Sequence, residues 1–214
     1  VTLDEVERKL SERDLMICNA EEPMCIAGVF GGLDSGTTET TKDVFLESAY
    51  FHPTWVRKTA RRHGLSTDSS FRFERGIDPN GTIYALKEAA ILVKELAGGE
   101  IASDIKDNYP APIADFAVEL SYEYVNSLVG KVIPAETIKS IVTSLEMKIV
   151  AETAEGLSLS VPAYRVDVQR PCDVVEDILR IYGYNNVEIP TSLKSSLNVE
   201  GEVDKSVKLQ NLVS

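Results

Sequence analysis

The sequence is poor in the residues that form disulfide frameworks and zinc sites. Its 214 residues include three cysteines, Cys18, Cys25 and Cys172, and two histidines, His52 and His63. An odd number of widely spaced cysteines does not form a disulfide framework, and with two distant histidines it does not form a four-ligand zinc site. We therefore expect buried or indifferent free thiols in a reducing compartment.

Long apolar runs are also missing. No run approaches the ~20 residues that a membrane helix needs, and no charged segment followed by an apolar one resembles a signal peptide. We therefore expect no membrane partner and a cytoplasmic location. Because the sequence begins at Val1 rather than at Met, we also expect it to be a piece of a longer protein.

Positive charge is scarce, with 22 Lys and Arg against 34 Asp and Glu and a formal net charge of -12. This balance argues against nonspecific coating of nucleic acid, which needs a positive field. Six cations are nevertheless concentrated in one short stretch: Arg57, Lys58, Arg61, Arg62, Arg72 and Arg75. Such a local cationic face on an acidic body favours a specific docking site, while a solvated helix surface is the alternative explanation.

The first region, residues 1–110, is predicted to mix strands and helices. Three apolar segments are predicted strands, and two helices follow, one opened by Pro53 and ended by Gly64 and one from Asn80 or Thr82 to about Ala97. The second helix carries an apolar stripe that we expect to be buried. The strands are predicted at residues 15–18, 24–30 and 44–51, and a hydroxyl-rich turn or loop at 64–70.

A second region, residues 111–190, follows a composition shift that contains Pro110 and Pro112. Its pattern predicts a strand, two helices, a hairpin and a third helix that begins near Asp173. The strand is expected at 116–120, the helices at 121–128 and from Pro134, and the hairpin around 155–156. Residues 191–214 are expected to be a linker or a truncated element.

The stretch from Asp43 to Pro79 suggests a binding site. Glu47 is the lone acid in an apolar segment, and a cationic helix and a hydroxyl-rich loop follow it. Together they indicate a pocket for a small polar ligand carried on a polyanion. Glycines 28, 31 and 32 allow close approach of a ligand, although structural turns explain such glycines equally well.

Four motifs identify a resemblance: AGVFGG, FLESAYF, ARRHGLSTDSSFRFERGIDP and VPAYRVDVQRPCDVVEDILRIYGY. In this order they resemble the β subunit of bacterial phenylalanyl-tRNA synthetases over about residues 1–190. The resemblance implies an α+β fold, with the C-terminal part of a mixed α/β B3/B4 editing domain followed by a small winged-helix-like B5 domain.

The resemblance implies that the first region takes part in post-transfer editing, the hydrolysis of Tyr-tRNA(Phe). Glu47 then accepts the hydrogen bond of the tyrosine hydroxyl, and the Gly28 amide completes the contact. The full set of pocket residues carried over is Ala27, Gly28, Gly31, Glu47, Thr67 and Ser69. Ser69 stands where the family has alanine and Phe71 where it has histidine, which changes details of substrate placement.

No Ser-His-Asp or Cys-His set can be assembled from the two histidines. The resemblance implies instead that the protein positions a water, assisted by the ribose hydroxyls at the tRNA terminus. Phosphate contacts with tRNA(Phe) are then expected from one helix, through Arg57, Lys58, Arg61 and Arg62.

The resemblance also implies an α2β2 heterotetramer in which ATP binds only at the α-subunit site. Magnesium shared with the α subunit is expected at Asp167, Asp173, Glu176 and Asp177, because Mg²⁺ prefers oxygen ligands. Asp177 stands where the family has glutamate. A solvated acidic helix start is the alternative explanation for these carboxylates.

One departure affects the expected activity. The family's editing domain has an earlier half with a histidine-bearing segment that is not in this sequence, so we expect a partial pocket with weak activity on its own. The alternative is a noncatalytic scaffold that docks the α subunit and tRNA around a degenerate pocket.

Overall fold

A computed structural model describes residues 1–189 and 202–213. Over these residues the chain is a mixed α+β structure with two small antiparallel sheets and seven α-helices. The predicted fold class is therefore confirmed. In chain order the elements are β1 Met16–Cys18, β2 Pro23–Ile26, α1 Pro53–Arg62, α2 Asp68–Phe73, α3 Thr82–Ala97, β3 Phe116–Ser121, α4 Tyr122–Val129, α5 Ala135–Ser144, β4 Lys148–Glu152, β5 Gly156–Val161, α6 Pro171–Tyr182 and α7 Glu202–Val213.

The first region has a small core at the junction of β2 and α1. Ile26, Val29, Val56 and Ala60 are buried there, and Phe51 and Phe73 pack against them. β1 and β2 form an antiparallel pair with Met16 opposite Ile26. Helix α1 has Pro at its first turn and two basic residues in its last turn, as predicted.

The predicted strand over residues 44–51 is wrong. The segment has no assigned strand, and the side chain of Phe45 is 94% exposed. A strand needs a neighbouring backbone to pair with, and none lies alongside this segment within the described residues. The segment is held instead by the Ser48 hydroxyl, which donates to the carbonyl of Thr82 over 2.8 Å.

Three further predictions in this region need correction. The strand predicted over 24–30 ends at Ile26, where the chain turns through Gly28. The hydroxyl-rich loop contains a short helix, α2. Helix α3 has the predicted length but no buried residue, and its N-cap is Gly81 rather than a polar side chain. Its apolar stripe is at most half-buried within the described residues, and Leu96 at its end is 85% exposed.

The second region has the larger core. Strands β3, β5 and β4 lie in that order in one antiparallel sheet, against which α4, α5 and α6 pack. Ser121 caps α4 by accepting a hydrogen bond from the Tyr124 amide, and Gly130 ends it in a left-handed conformation. The strand, the three helices and the hairpin predicted here are confirmed.

The expected linker or truncated element covers residues 191–214. Half of it, residues 191–201 and 214, lies outside the described residues, and the other half forms α7.

Candidate functional site

A cavity of about 570 Å³ lies between three parts of the chain. They are the turn that contains Gly28 and Gly31 (the glycine turn), the segment over residues 44–51 before α1 (the extended segment) and the start of α2. Five of the six predicted pocket residues line it together: Gly28, Gly31, Glu47, Thr67 and Ser69. The sixth, Ala27, is buried beneath the turn, where its amide donates to the carbonyl of Leu15 over 2.9 Å. The volume of the cavity falls within the range of roughly 300–1,000 Å³ that is typical of small-molecule binding sites.

Gly28 is required by the shape of the turn. Its φ of +67° is unfavourable for residues with a side chain, and an added Cβ would lie 2.9 Å from the Phe51 ring. Phe51 and Phe73 form a tilted pair with ring centroids 5.1 Å apart, and both line the cavity. The Gly28 amide donates no hydrogen bond within the described chain, so it is free to meet a ligand.

Thr67 joins two walls of the cavity. Its hydroxyl donates to the carbonyl of Val29 over 2.5 Å and accepts from the amide of Ser70 over 3.0 Å, which caps α2. The Ser70 hydroxyl in turn accepts from the Thr67 amide, completing a capping box. Because these bonds occupy the Thr67 hydroxyl, its role is to position the loop rather than to bind a ligand through that proton.

Glu47 lines the cavity. The residue is exposed overall, yet partial burial raises the pKa of Glu47 above its ordinary value of 4.5, and no neighbouring charge contributes. Burial, followed by the nearby Glu47 carboxylate, also raises the pKa of the Cys25 thiol. The cavity therefore has an acceptor that is not satisfied by its own neighbours.

The sequence analysis missed three polar residues of the cavity, Cys25, Ser48 and Asp68. Asp68 is the first residue of α2, between Thr67 and Ser69, and this position within the motif was the available signal. The departure at Phe71 lies outside the cavity, because this side chain is 56% exposed and packs under the Arg75 guanidinium at 3.6 Å. Ser69, the other departure, does line it.

Helix α1 presents three exposed cations, Arg57, Lys58 and Arg61. The Lys58 ammonium lies 5.0 Å above the ring of Trp55, which is itself 44% exposed. The fourth predicted contact, Arg62, is paired with the Asp14 carboxylate. The cationic surface is thus defined by Arg57, Lys58 and Arg61.

Asp14 is a buried carboxylate that the sequence did not reveal. Its oxygens lie 2.9 Å from Thr59 Oγ1 and 2.9 Å from His63 Nε2, and the Ser11 amide donates to it over 2.8 Å. Burial alone would raise the pKa of Asp14, but these hydrogen bonds hold it below 3.8. The cluster fastens the N-terminal segment to the end of α1.

The four predicted magnesium ligands are engaged with arginines. Arg165 contacts Asp177 at 2.6 Å and Asp167 at 3.5 Å, and Arg180 contacts Glu176 at 2.6 Å. Asp173 caps α6, and its bonds to Arg170 lower its pKa to about 2. No three acidic, Cys or His residues are grouped to hold a metal ion anywhere in residues 1–189 or 202–213. As arranged here the carboxylates do not form a magnesium site, and that site stays a prediction.

Comparison with known families accounts for both regions. A B3/4 domain model matches residues 1–98, and a tRNA synthetase B5 domain model matches residues 118–184. The phenylalanine–tRNA ligase beta subunit of Bacteroides thetaiotaomicron is 80% identical over 214 residues, all of this chain and 26% of that protein. The chain is therefore similar, over its whole length, to the B3/4–B5 region of phenylalanine–tRNA ligase beta subunits.

Further members of the family match the same region. The beta subunit of Porphyromonas gingivalis is 54% identical over 100% of this chain and 26% of its own length. That of Syntrophus aciditrophicus is 45% identical over 90% of this chain and 24% of its own length. The chain thus spans about a quarter of these relatives and contains their B3/4 and B5 domains. None of the helices that the structure describes is long and apolar enough to cross a membrane.

Proposed function

We propose that the cavity of the first region is the binding site for post-transfer editing, in which the ester bond of Tyr-tRNA(Phe) is hydrolysed. The observation that carries this proposal is Glu47, whose carboxylate has no hydrogen-bond donor among the described residues and which lines a cavity walled by aromatic and aliphatic side chains. A tyrosine ring fits such walls, and its hydroxyl supplies the missing donor.

Selection in such a pocket follows from hydrogen bonding. A tyrosine hydroxyl that donates to Glu47 and accepts from the free Gly28 amide satisfies both groups, whereas phenylalanine leaves both unpaired. A hydrogen bond to a charged group contributes about 1.5–3 kcal/mol, which corresponds to roughly 10- to 100-fold in selectivity. The same pocket therefore retains tyrosine esters and releases phenylalanine esters.

Cations on α1 support a proposed nucleic-acid contact near this cavity. Arg57, Lys58 and Arg61 lie on α1, whose buried Val56 lies against Gly28, a residue that lines the cavity. Phosphate groups of an acceptor strand would meet these cations, and a terminal base would meet Trp55. Arg62 contributes less, because Asp14 neutralises it.

The second region is proposed to dock the α subunit of an α2β2 enzyme. Magnesium there requires oxygen ligands from that subunit and displacement of Arg165 from Asp177, because the four carboxylates alone are not grouped. Aminoacylation and ATP binding belong to the α subunit in this proposal.

The competing function is a noncatalytic scaffold around a degenerate pocket. Helix α3 favours the scaffold function, because it has no buried residue and its apolar side chains can pack against another protein. Glu47→Ala in the intact enzyme separates the two functions. Editing predicts slower clearance of Tyr-tRNA(Phe) with phenylalanine aminoacylation unchanged, whereas a scaffold predicts altered assembly or tRNA affinity with clearance unchanged.

A second experiment concerns the extent of the pocket. We expect this 214-residue chain alone to hydrolyse Tyr-tRNA(Phe) weakly, and a longer piece that restores the earlier half of the domain to do so faster. Equal rates for the two would contradict the partial pocket.

A further inference from the structure

Two carboxylates line the cavity, from different segments of the chain. Glu47 belongs to the extended segment before α1, and Asp68 is the first residue of α2. None of the sixteen described residues that line the cavity is Lys, Arg or His. The cavity is therefore lined by two acidic side chains and by no basic one among the described residues.

Asp68 has no other evident task in the fold. Its carboxylate forms no hydrogen bond or ion pair with any residue that the structure describes, and the residue is exposed. The helix it begins is already capped by the reciprocal bonds of Thr67 and Ser70. An acid in the first turn adds a modest interaction with the helix dipole, which is the structural alternative.

A ligand that satisfies this cavity carries two donors. One is the phenolic hydroxyl assigned to Glu47, and the other must be a cation that reaches the mouth of the cavity, where Asp68 lies in contact with water. The α-ammonium group of an aminoacyl ester is such a cation, and it is separated from the phenol by the length of the tyrosyl side chain. Acylation converts this ammonium group into a neutral amide and adds the acyl group, so that the charge is lost.

We propose that Asp68 is a specificity-determining residue that pairs with the α-ammonium group of the bound aminoacyl ester. This inference rests on the proposed editing function. It adds that the site selects esters with a free, protonated amine over N-acylated ones. Asp68 then orients the ester carbonyl by fixing the substrate at the end opposite the phenol.

The test uses the intact α2β2 enzyme with two substrates, Tyr-tRNA(Phe) and N-acetyl-Tyr-tRNA(Phe). The wild type is expected to hydrolyse the free-amine ester with a kcat/KM about 10- to 100-fold higher, as for a charge-assisted hydrogen bond. Asp68→Asn should reduce that ratio to within about 3-fold, mainly through a higher KM for Tyr-tRNA(Phe). Asp68→Glu should keep most of the wild-type ratio of the two kcat/KM values. Asp68→Ser is measured as a second variant with a neutral side chain.

Two further variants separate this inference from the function on which it rests. Glu47→Ala should slow both substrates alike and leave their ratio unchanged, and Asp107→Asn, an exposed acid outside the cavity, should alter neither. A ratio that stays at the wild-type value in both neutral Asp68 variants overturns the role of Asp68 alone. A wild-type enzyme that hydrolyses neither ester overturns the editing function and this inference with it.

Discussion

The hydroxyl of Thr67 donates a hydrogen bond of 2.5 Å to the carbonyl of Val29. This bond joins the glycine turn to the start of α2, two elements that are 38 residues apart and form facing walls of the cavity. The geometry of the candidate site thus depends on a single side chain that also caps a helix.

Thr67→Val should destabilise the first region by about 1–2 kcal/mol, because it removes the N-cap of α2 and the bond to Val29. Thr67→Ser keeps both bonds and should lose less than half as much. Fluorescence of Trp55, the single tryptophan, reports on unfolding of this region in urea. Equal midpoints for wild type and Thr67→Val would contradict a structural role for the hydroxyl.

Asp14→Asn should lower the free energy of unfolding of the first region by about 1.5–3 kcal/mol at neutral pH, because hydrogen bonds to a buried charge are lost. The folded-state pKa of Asp14 lies below its unfolded value of 3.8. The contribution of Asp14 is therefore complete above pH 3.8 and is lost as the pH falls through the lower folded pKa.

The measurement follows from that sign. Urea unfolding by Trp55 fluorescence is compared between wild type and Asp14→Asn from neutral to acid pH. The difference between the two proteins should shrink as the pH falls below 3.8. A difference that grows toward acid would show that the Asp14 pKa is raised by burial rather than lowered by Ser11, His63 and Thr59.

The raised pKa of Glu47 predicts that the rate of editing falls at acid pH, which gives the pH–rate profile an acid limb. The carboxylate must be ionised to accept the tyrosine hydroxyl, and its pKa is raised above 4.5 by burial. Clearance of Tyr-tRNA(Phe) by the intact enzyme should therefore fall as the pH drops toward this raised pKa, at a higher pH than an ordinary carboxyl would give. Glu47→Gln should be slow at every pH and lack the limb. A wild-type limb that persists in Glu47→Gln would assign it to another group.

The ion pair between Arg165 and Asp177 is expected to stabilise the second region. Arg165→Met leaves the carboxylate of Asp177, which is 8% exposed, buried without its partner. Removal of one member of a buried pair costs about 3–5 kcal/mol. Arg180→Met removes an exposed i,i+4 pair with Glu176 and should cost about 0.5 kcal/mol or less. Amide exchange of α6 measures both, and equal protection in the two variants would contradict the buried pairing.

The sequence predicted most of the second region because its signals are local. Ser121 and Gly130 bound α4, and the alternation on both sides of residues 155–156 predicts the hairpin. The resemblance to a family supplied the pocket residues, and five of the six line one cavity. The strand at 44–51 was wrongly predicted because an apolar run does not show whether a second strand pairs with it.

Other features could not be read from the sequence. Asp14 meets Thr59 and His63 across 45 and 49 residues, and no local pattern pairs them. The exposed apolar stripe of α3 has the same period as a buried one, so periodicity alone does not reveal what covers it. Helix α2 has six residues, which are too few to give a periodic apolar pattern in the sequence.

The most direct test compares hydrolysis of Tyr-tRNA(Phe) with that of Phe-tRNA(Phe) by the intact enzyme carrying Glu47 or Glu47→Ala, with Asp107→Ala as control. Hydrogen bonding of the tyrosine hydroxyl by Glu47 predicts a wild-type preference for the tyrosyl ester of about 10- to 100-fold. That preference should disappear in Glu47→Ala and persist in the control. A preference that survives the loss of Glu47 would contradict recognition of tyrosine by this cavity.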